Sequence, residues 1–324
     1  MSPFETLIGH QTSIELLKQA VAKDRIAPAY LFVGSPGIGR RLAALGFSEL
    51  LLRHNIPPDK HPLIHQKLTA QNHPDFLWVQ PTYQHQNQLL TAQEAAESGL
   101  KRKAPPKIRI EQIRDIGQFL SRPPLEATRA VVVIEDAHTM AEGAANALLK
   151  TLEEPGRATI ILISPSADAL LPTLVSRCQR IPFYRLAEAE LQQVLDNLGR
   201  EEIKQDETLL AIAQGSPGAA ILAQEHLQTI PQDLLNQLLT PPKTALAALQ
   251  LAKELDKTLD TEVQLWLIDY LQYRYWHNQQ RGQLEGGFVR QLEQAKKNLL
   301  AYAQPRLVWE CTLLSLIPRS RDRV

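Results

Sequence analysis

The sequence predicts an α/β chain: a parallel sheet covered by helices on both faces, followed by a carboxy-terminal region that is all helix. Three observations carry this. Short, wholly apolar runs at residues 30–33, 130–134 and 159–163 read as buried strands, since a strand covered on both faces loses the polar alternation of a half-exposed one. Helical patterns lie between those runs, and strands alternating with helices imply a parallel sheet. After Pro182 the strand signals stop, and residues 186–316 read as successive amphipathic helices.

In chain order, residues 13–21 place Ile14, Leu17 and Val21 on one helical face, with a break near Ala27-Pro28. The strand at residues 30–33 ends at Gly34, and helical character resumes over residues 42–52. Residues 53–93 read as loop, with Pro57-Pro58 and several histidines. His61 and His65 have the spacing that seats a metal on one helical face. Pro62 between them, polar surroundings and the absence of a neighbouring cysteine favour a loop without metal. Lys101-Arg102-Lys103 reads as a solvated loop rather than a nucleic-acid contact.

Residues 111–120 carry Ile113, Ile116, Phe119 and Leu120 at helical spacing. The strand at residues 130–134 is followed directly by Glu135-Asp136. Residues 144–152 form a helix with Ala145, Leu148, Leu149 and Leu152 on one face, stopped by Pro155, and the strand at 159–163 follows. The helical region breaks at Gly199, Gly215-Ser216-Pro217-Gly218, Thr240-Pro241-Pro242, Gly286-Gly287 and Pro305. Pro241-Pro242 is the best linker, because two prolines exclude helix continuation. The aromatic stretch Trp266, Leu267, Tyr270, Leu271, Tyr273, Tyr275, Trp276 reads as packed core or interface before it reads as a base-stacking platform.

Composition narrows the function classes. The 324 residues carry 35 Lys+Arg against 35 Asp+Glu, which disfavours binding to nucleic acid or membrane by bulk charge. Two cysteines, Cys178 and Cys311, exclude a disulfide framework and a four-cysteine zinc site. The start, Met1-Ser2-Pro3-Phe4-Glu5, lacks signal-peptide character, and no apolar stretch is long enough to span a bilayer, so a soluble cytoplasmic protein is expected.

The chemistry concentrates at Gly34-Ser35-Pro36-Gly37-Ile38-Gly39-Arg40-Arg41, which has the frame of a phosphate-binding P-loop. In G-x-x-x-x-G-K-[ST] the backbone cradles phosphate, the Lys reaches the β- and γ-phosphates and the hydroxyl holds Mg²⁺. Here Gly34, Gly37 and Gly39 persist, whereas Arg40 replaces the Lys and Arg41 the hydroxyl. Arg cannot ligate Mg²⁺ and is no substitute for a compact ammonium. A working site also needs an acidic pair after a second strand. Glu135-Asp136 stands there in reversed order, displacing each carboxylate by about one methylene, and ångström errors can cost roughly 10²-fold in rate. The plainer alternative is that these acids end a strand and cap the next helix.

Ala145-Asn146-Ala147-Leu148-Leu149-Lys150-Thr151-Leu152-Glu153-Glu154-Pro155, followed by Leu174-Val175-Ser176-Arg177-Cys178-Gln179, resembles the bacterial clamp-loader AAA+ family over about the first 220 residues. A degenerate P-loop with an intact S-R-C sequence separates this chain from the tau/gamma branch, which keeps the Lys and Thr. The resemblance implies that Arg177 acts in trans on the γ-phosphate held by a neighbouring subunit; Cys178 beside it has no His placed to activate it and reads as a small packing residue rather than a nucleophile. The resemblance also implies a lid arginine, which Gly215-Ser216-Pro217-Gly218-Ala219-Ala220 lacks, and a cysteine-rich zinc module, which residues 53–74 lack.

The organisation implied is an AAA+ core over residues 1–184, a helical lid over 185–240 and a helical oligomerisation domain over 241–324. The expected role is a non-hydrolysing clamp-loader subunit. Its partners would be the tau/gamma and delta subunits and, through the complex, the sliding clamp and primed DNA. No cofactor is required, and passive binding of ATP, ADP or phosphate at Gly34, Gly37, Gly39 and Arg40 is compatible with the loop. The rivals are an active tau/gamma-type ATPase, which four altered positions disfavour, and a general DNA-binding module, which the neutral net charge disfavours.

Overall fold

The computed structural model describes residues 3–86, 88–98, 105–280 and 288–317. The Lys101-Arg102-Lys103 run and the Gly286-Gly287 break lie outside them. Contacts divide the chain into two compact units, residues 1–193 and 194–324.

The first unit begins with α1 (Gln11–Ala22), which buries Ile14, Leu17 and Val21 as expected. Strand β1 (Ala29–Val33) runs through the glycine turn into α2 (Arg40–Arg53). Residues 53–93 then depart from the loop expected of them. They contain α3 (His61–Thr69), β2 (Phe76–Val79), a hairpin of β3 (Tyr83–His85) and β4 (Gln88–Leu90), and the start of α4 (Ala92–Glu97). Pro62 does not break α3. It occupies the first turn, where a missing N–H leaves no bond unmade and the fixed φ is already helical.

Next come α5 (Ile110–Leu120), β5 (Ala130–Ile134), α6 (Glu142–Glu153), β6 (Ala158–Ser164), α7 (Pro172–Val175), β7 (Gln179–Pro182) and α8 (Glu188–Asn197). The five-stranded sheet has the order β2-β5-β6-β1-β7, and every pairing in it is parallel. Successive side chains of a strand point to opposite faces, and the burial follows. Val131 and Val133 of β5 join a core with Phe32, Phe47, Ile161 and Ile163. Val132 and Ile134 join the core on the other face with Leu31, Ile160 and Leu162. The predicted strands are the three in the middle of the sheet. The two edge strands, β2 and β7, lie outside the predicted ones: the apolar run Phe76-Leu77-Trp78-Val79 of β2 falls within residues 53–93, which read as loop, and β7 has no apolar run.

The parallel arrangement brings the carboxyl ends of β1, β5 and β6 to one side, where open α/β sheets bind ligands. Gly34 and Glu135 emerge there. Arg177 does not: β7 pairs Gln179 with Tyr30, so Arg177 lies toward the opposite end of β1. At roughly 3.3 Å per residue that separates it from Gly34 by about 15–20 Å, beyond the reach of its side chain.

In the second unit follow α9 (Glu201–Gln205), α10 (Glu207–Ala213), α11 (Pro217–Thr229), α12 (Gln232–Leu238), α13 (Ala245–Thr258), α14 (Thr261–Gln280), α15 (Phe288–Leu300) and α16 (Pro305–Ser315). One apolar core joins α12 through α16, with Trp309 fully buried at its centre. Buried with it are two paired polar groups: Trp309 Nε1 donates to Gln264 Oε1 at 2.9 Å, and Gln264 Nε2 donates to the Leu259 carbonyl at 2.8 Å. The aromatic stretch of α14 packs into this core through Leu267, Tyr270, Leu271 and Tyr275, leaving Trp276 exposed. Among the described residues no helix is long and apolar enough to cross a membrane.

Candidate functional site: a loop with built-in cations and an outward arginine

The loop after β1 keeps the backbone of a phosphate cradle. Gly37 and Gly39 have φ of 76° and 105°, and Gly39 caps the amino end of α2. A Cβ at Gly39 would stand 2.8 Å from Leu7 Cδ1, and one at Gly34 would stand 2.4 Å from the Phe183 carbonyl oxygen, so the loop admits only glycine at both places. His10 Nε2 donates to the Ile38 carbonyl at 2.8 Å, and its ring stands edge-on to Phe183 at 5.1 Å between centroids. The loop is therefore held by the segment before α1 and by the chain leaving β7.

The two arginines behave differently. Arg40 is 6% exposed, and its Nη1 makes no hydrogen bond. Burial works against its charge, which Asp136 and Glu135 offset through space. Arg41 is half-exposed and reaches Glu135, with Nη1 3.1 Å from Oε2. That same oxygen accepts from Trp78 Nε1 at 2.9 Å and from Gln80 Nε2 at 2.8 Å. The Arg41 guanidinium also lies 5.0 Å from the Trp78 ring centroid, in cation–π range.

The carboxylate expected near a metal is thus occupied by a guanidinium from the position that should supply a metal-binding hydroxyl. The donor set does not fit Mg²⁺: Arg41 brings positive charge and no hydroxyl, and Oε2 of the acid it would share with the metal already accepts from three donors. The remaining cradle, with a buried guanidinium at Arg40, fits the charge of a phosphate better than that of a metal complex.

Asp136 takes a left-handed backbone with φ of 46°. Burial holds its carboxyl above the ordinary range and the Glu135 charge adds to this, while His138 and Arg40 pull the other way. It precedes a 3₁₀ turn (Ala137–Thr139) but makes no side-chain cap bond, so helix capping does not account for it.

Arg177 follows α7 and presents a half-exposed side chain. Its Nη2 donates to Glu153 Oε1 at 2.8 Å and its Nη1 to the Thr173 carbonyl at 3.0 Å. Cys178 beside it packs against the core, and burial pushes its thiol up to about 11, so it stays protonated. His61 and His65 turn to different partners, the Ile56 carbonyl at 3.0 Å and Glu49 Oε1 at 3.0 Å.

The structure brings together Gly34, Gly37, Gly39, Arg40, Glu135 and Asp136 and sets Arg177 apart. It adds Trp78, Gln80, His10 and Phe183, which sequence reasoning missed. Trp78 and Gln80 sit on and just after the unpredicted edge strand β2, and Phe183 follows the unpredicted β7.

Comparisons with known proteins show the family. The family profile described as DNA polymerase III, delta subunit, matches residues 9–187, and one described as the cyanobacterial DNA polymerase III delta prime carboxy-terminal domain matches residues 189–316. The chain is 32% identical to the DNA polymerase III subunit delta' of Bacillus subtilis over 56% of its own length and 50% of the relative's. It is 35% identical to the corresponding subunit of Pseudomonas aeruginosa over 62% of its length and 57% of the relative's. The matches thus span about half the length of those relatives. A solved Thermotoga maritima protein related to the DNA polymerase III gamma subunit shares the fold, with a TM-score of 0.51 at 21% identity over 94% of this chain and 98% of that one.

Proposed function

The chain belongs to the bacterial DNA polymerase III delta prime family, and from that premise we propose that it is a non-hydrolysing subunit of a cytoplasmic clamp-loader complex. It would stand beside a tau/gamma ATPase, with the delta subunit in the same assembly, and help load the sliding clamp onto primed DNA. The division into core (1–184), lid (185–240) and oligomerisation domain (241–324) belongs to the same proposal.

The observation that carries the non-hydrolysing role is the Arg41–Glu135 pair at 3.1 Å, backed by the Trp78 and Gln80 donors. A site that fills its metal position with its own cation has no means of placing Mg²⁺ between phosphates. Any phosphate, ADP or ATP held at Gly34, Gly37, Gly39 and Arg40 would bind without turnover. The isolated chain is expected to hydrolyse ATP no faster than buffer in millimolar Mg²⁺; turnover that vanishes with Arg40→Ala would instead establish a tau/gamma-type ATPase.

Arg177 is proposed as an arginine finger acting in trans. It is half-exposed, and the sheet register puts it too far from its own loop to serve that site. A guanidinium at a neighbour's γ-phosphate offsets the charge that develops in phosphoryl transfer. The test is ATP turnover and clamp loading by the reconstituted complex carrying Arg177→Ala, where wild-type rates would end the proposal.

A further inference from the structure

The corner around Arg177 contains a second charged residue that the finger reading leaves without a role. Glu153 is the last residue of α6, and Arg177 lies two residues past α7. Their backbones are fixed from below: Leu148 and Leu152 of α6 share a core with Leu174 and Val175 of α7, and Cys178 packs against it. The two exposed side chains therefore stand side by side because buried neighbours hold their Cα positions.

We infer that Glu153 is a positioning residue for Arg177, a proposal that rests on the finger reading above. Long arginine side chains carry large rotamer entropy, so a free guanidinium would reach a neighbour's phosphate in one orientation among many. Here the two terminal nitrogens have different acceptors on the same chain, Glu153 Oε1 at 2.8 Å and the Thr173 carbonyl at 3.0 Å. Two bonds to separate nitrogens fix the plane of the group as well as its place. A guanidinium has five N–H donors, so those two bonds leave the others to meet phosphate oxygens.

The strength of the hold suits the task. Glu153 is exposed enough that water screens the pair, and exposed ion pairs are weak. Such a contact biases the side chain without competing with a phosphate, whose charge-assisted bonds are stronger. Its contribution is orientation, which is where ångström errors are costly.

The experiment uses the full chain in a reconstituted complex with its tau/gamma and delta partners, measuring steady-state ATP hydrolysis. Glu153→Ala is expected to lower kcat by about 10-fold, toward the roughly 10²-fold that ångström misplacement can cost, with KM for ATP little changed. Glu153→Gln, whose carbonyl still accepts from Nη2, is expected to keep most of the wild-type rate. Because a loss of assembly would also lower the apparent kcat at unchanged KM, kcat is taken per assembled complex, with the amount of complex measured by gel filtration. The inference is overturned if Glu153→Ala leaves kcat unchanged while Arg177→Ala lowers it, or if Glu153→Gln is as slow as Glu153→Ala. If Arg177→Ala also leaves kcat unchanged, the finger reading fails, and this inference with it.

Discussion

The amino end of α2 and the turn after α7 both present arginine, and they use it in opposite ways. Arg40 is 6% exposed, and Arg41, though half-exposed, is bound to Glu135, a carboxylate that Trp78 and Gln80 also hold. Arg177 is turned outward and held only by a screened carboxylate and a backbone carbonyl. A cation buried or tied to a largely buried carboxylate is committed to its own chain, whereas Arg177 pairs with a carboxylate that is itself exposed. On the proposed function, that contrast is a division of labour in which a subunit disables its own nucleotide site and serves the next one.

The largest expected effect tests the outward arginine. In the assembled complex, Arg177→Ala should lower the neighbour's ATP turnover by about 10³-fold or more. Its cost to the chain's own stability should stay within about 0.5 kcal/mol, as for most surface substitutions. A variant that instead unfolds the chain would make Arg177 a structural residue and dissolve the comparison.

The inward site is expected to respond through stability. Gly34→Ala drives a Cβ against the Phe183 carbonyl, where the ideal position leaves 2.4 Å. Backbone there cannot yield cheaply, and a loss of about 2–4 kcal/mol is expected by chemical denaturation. Glu135→Ala is expected to cost less, about 1–3 kcal/mol, because it strands the Trp78 indole N–H and the Gln80 amide. Unchanged stability in Glu135→Ala would mean that the Arg41–Glu135 pair does not hold the loop.

The smallest effect has the opposite sign. Burial and Glu135 raise the Asp136 carboxyl above its ordinary range, so the folded state disfavours its ionised form. That penalty is absent below the unfolded-state value near 3.9 and grows as pH rises toward the folded-state value. Asp136→Asn removes it and suits the left-handed backbone that Asn tolerates. A gain of about 1–3 °C in melting temperature is expected at pH 7, shrinking toward pH 4. A gain independent of pH would point to packing rather than charge.

Legibility along the chain followed burial. Strands β1, β5 and β6 sit in the middle of the sheet and show as apolar runs. Strand β2 is four residues at one edge, and β7 begins with exposed Gln179 and Arg180 and ends in Pro182. Strand β7 keeps no apolar signature, whereas Phe76-Leu77-Trp78-Val79 of β2 is as apolar as residues 30–33 but lies in a stretch whose prolines and histidines made residues 53–93 read as loop. The same blindness hid Trp78, Gln80 and Phe183, since residues on or beside an unseen strand cannot be placed against the loop.

Sequence alone determined the sheet's interior, the glycine frame of the loop, the loss of its Lys and hydroxyl, and the motif that singles out Arg177. These are local features, carried by residue type and short-range spacing. Only the tertiary structure decided what the substituted residues do. Arg41 and Glu135 are 94 positions apart, and Glu153 and Arg177 are 24 apart. No local pattern links such residues; the parallel register of the sheet and the packing of α6 against α7 bring them together. The sequence shows a P-loop frame with its Lys and hydroxyl replaced, and the fold shows one of the replacing residues, Arg41, paired with Glu135.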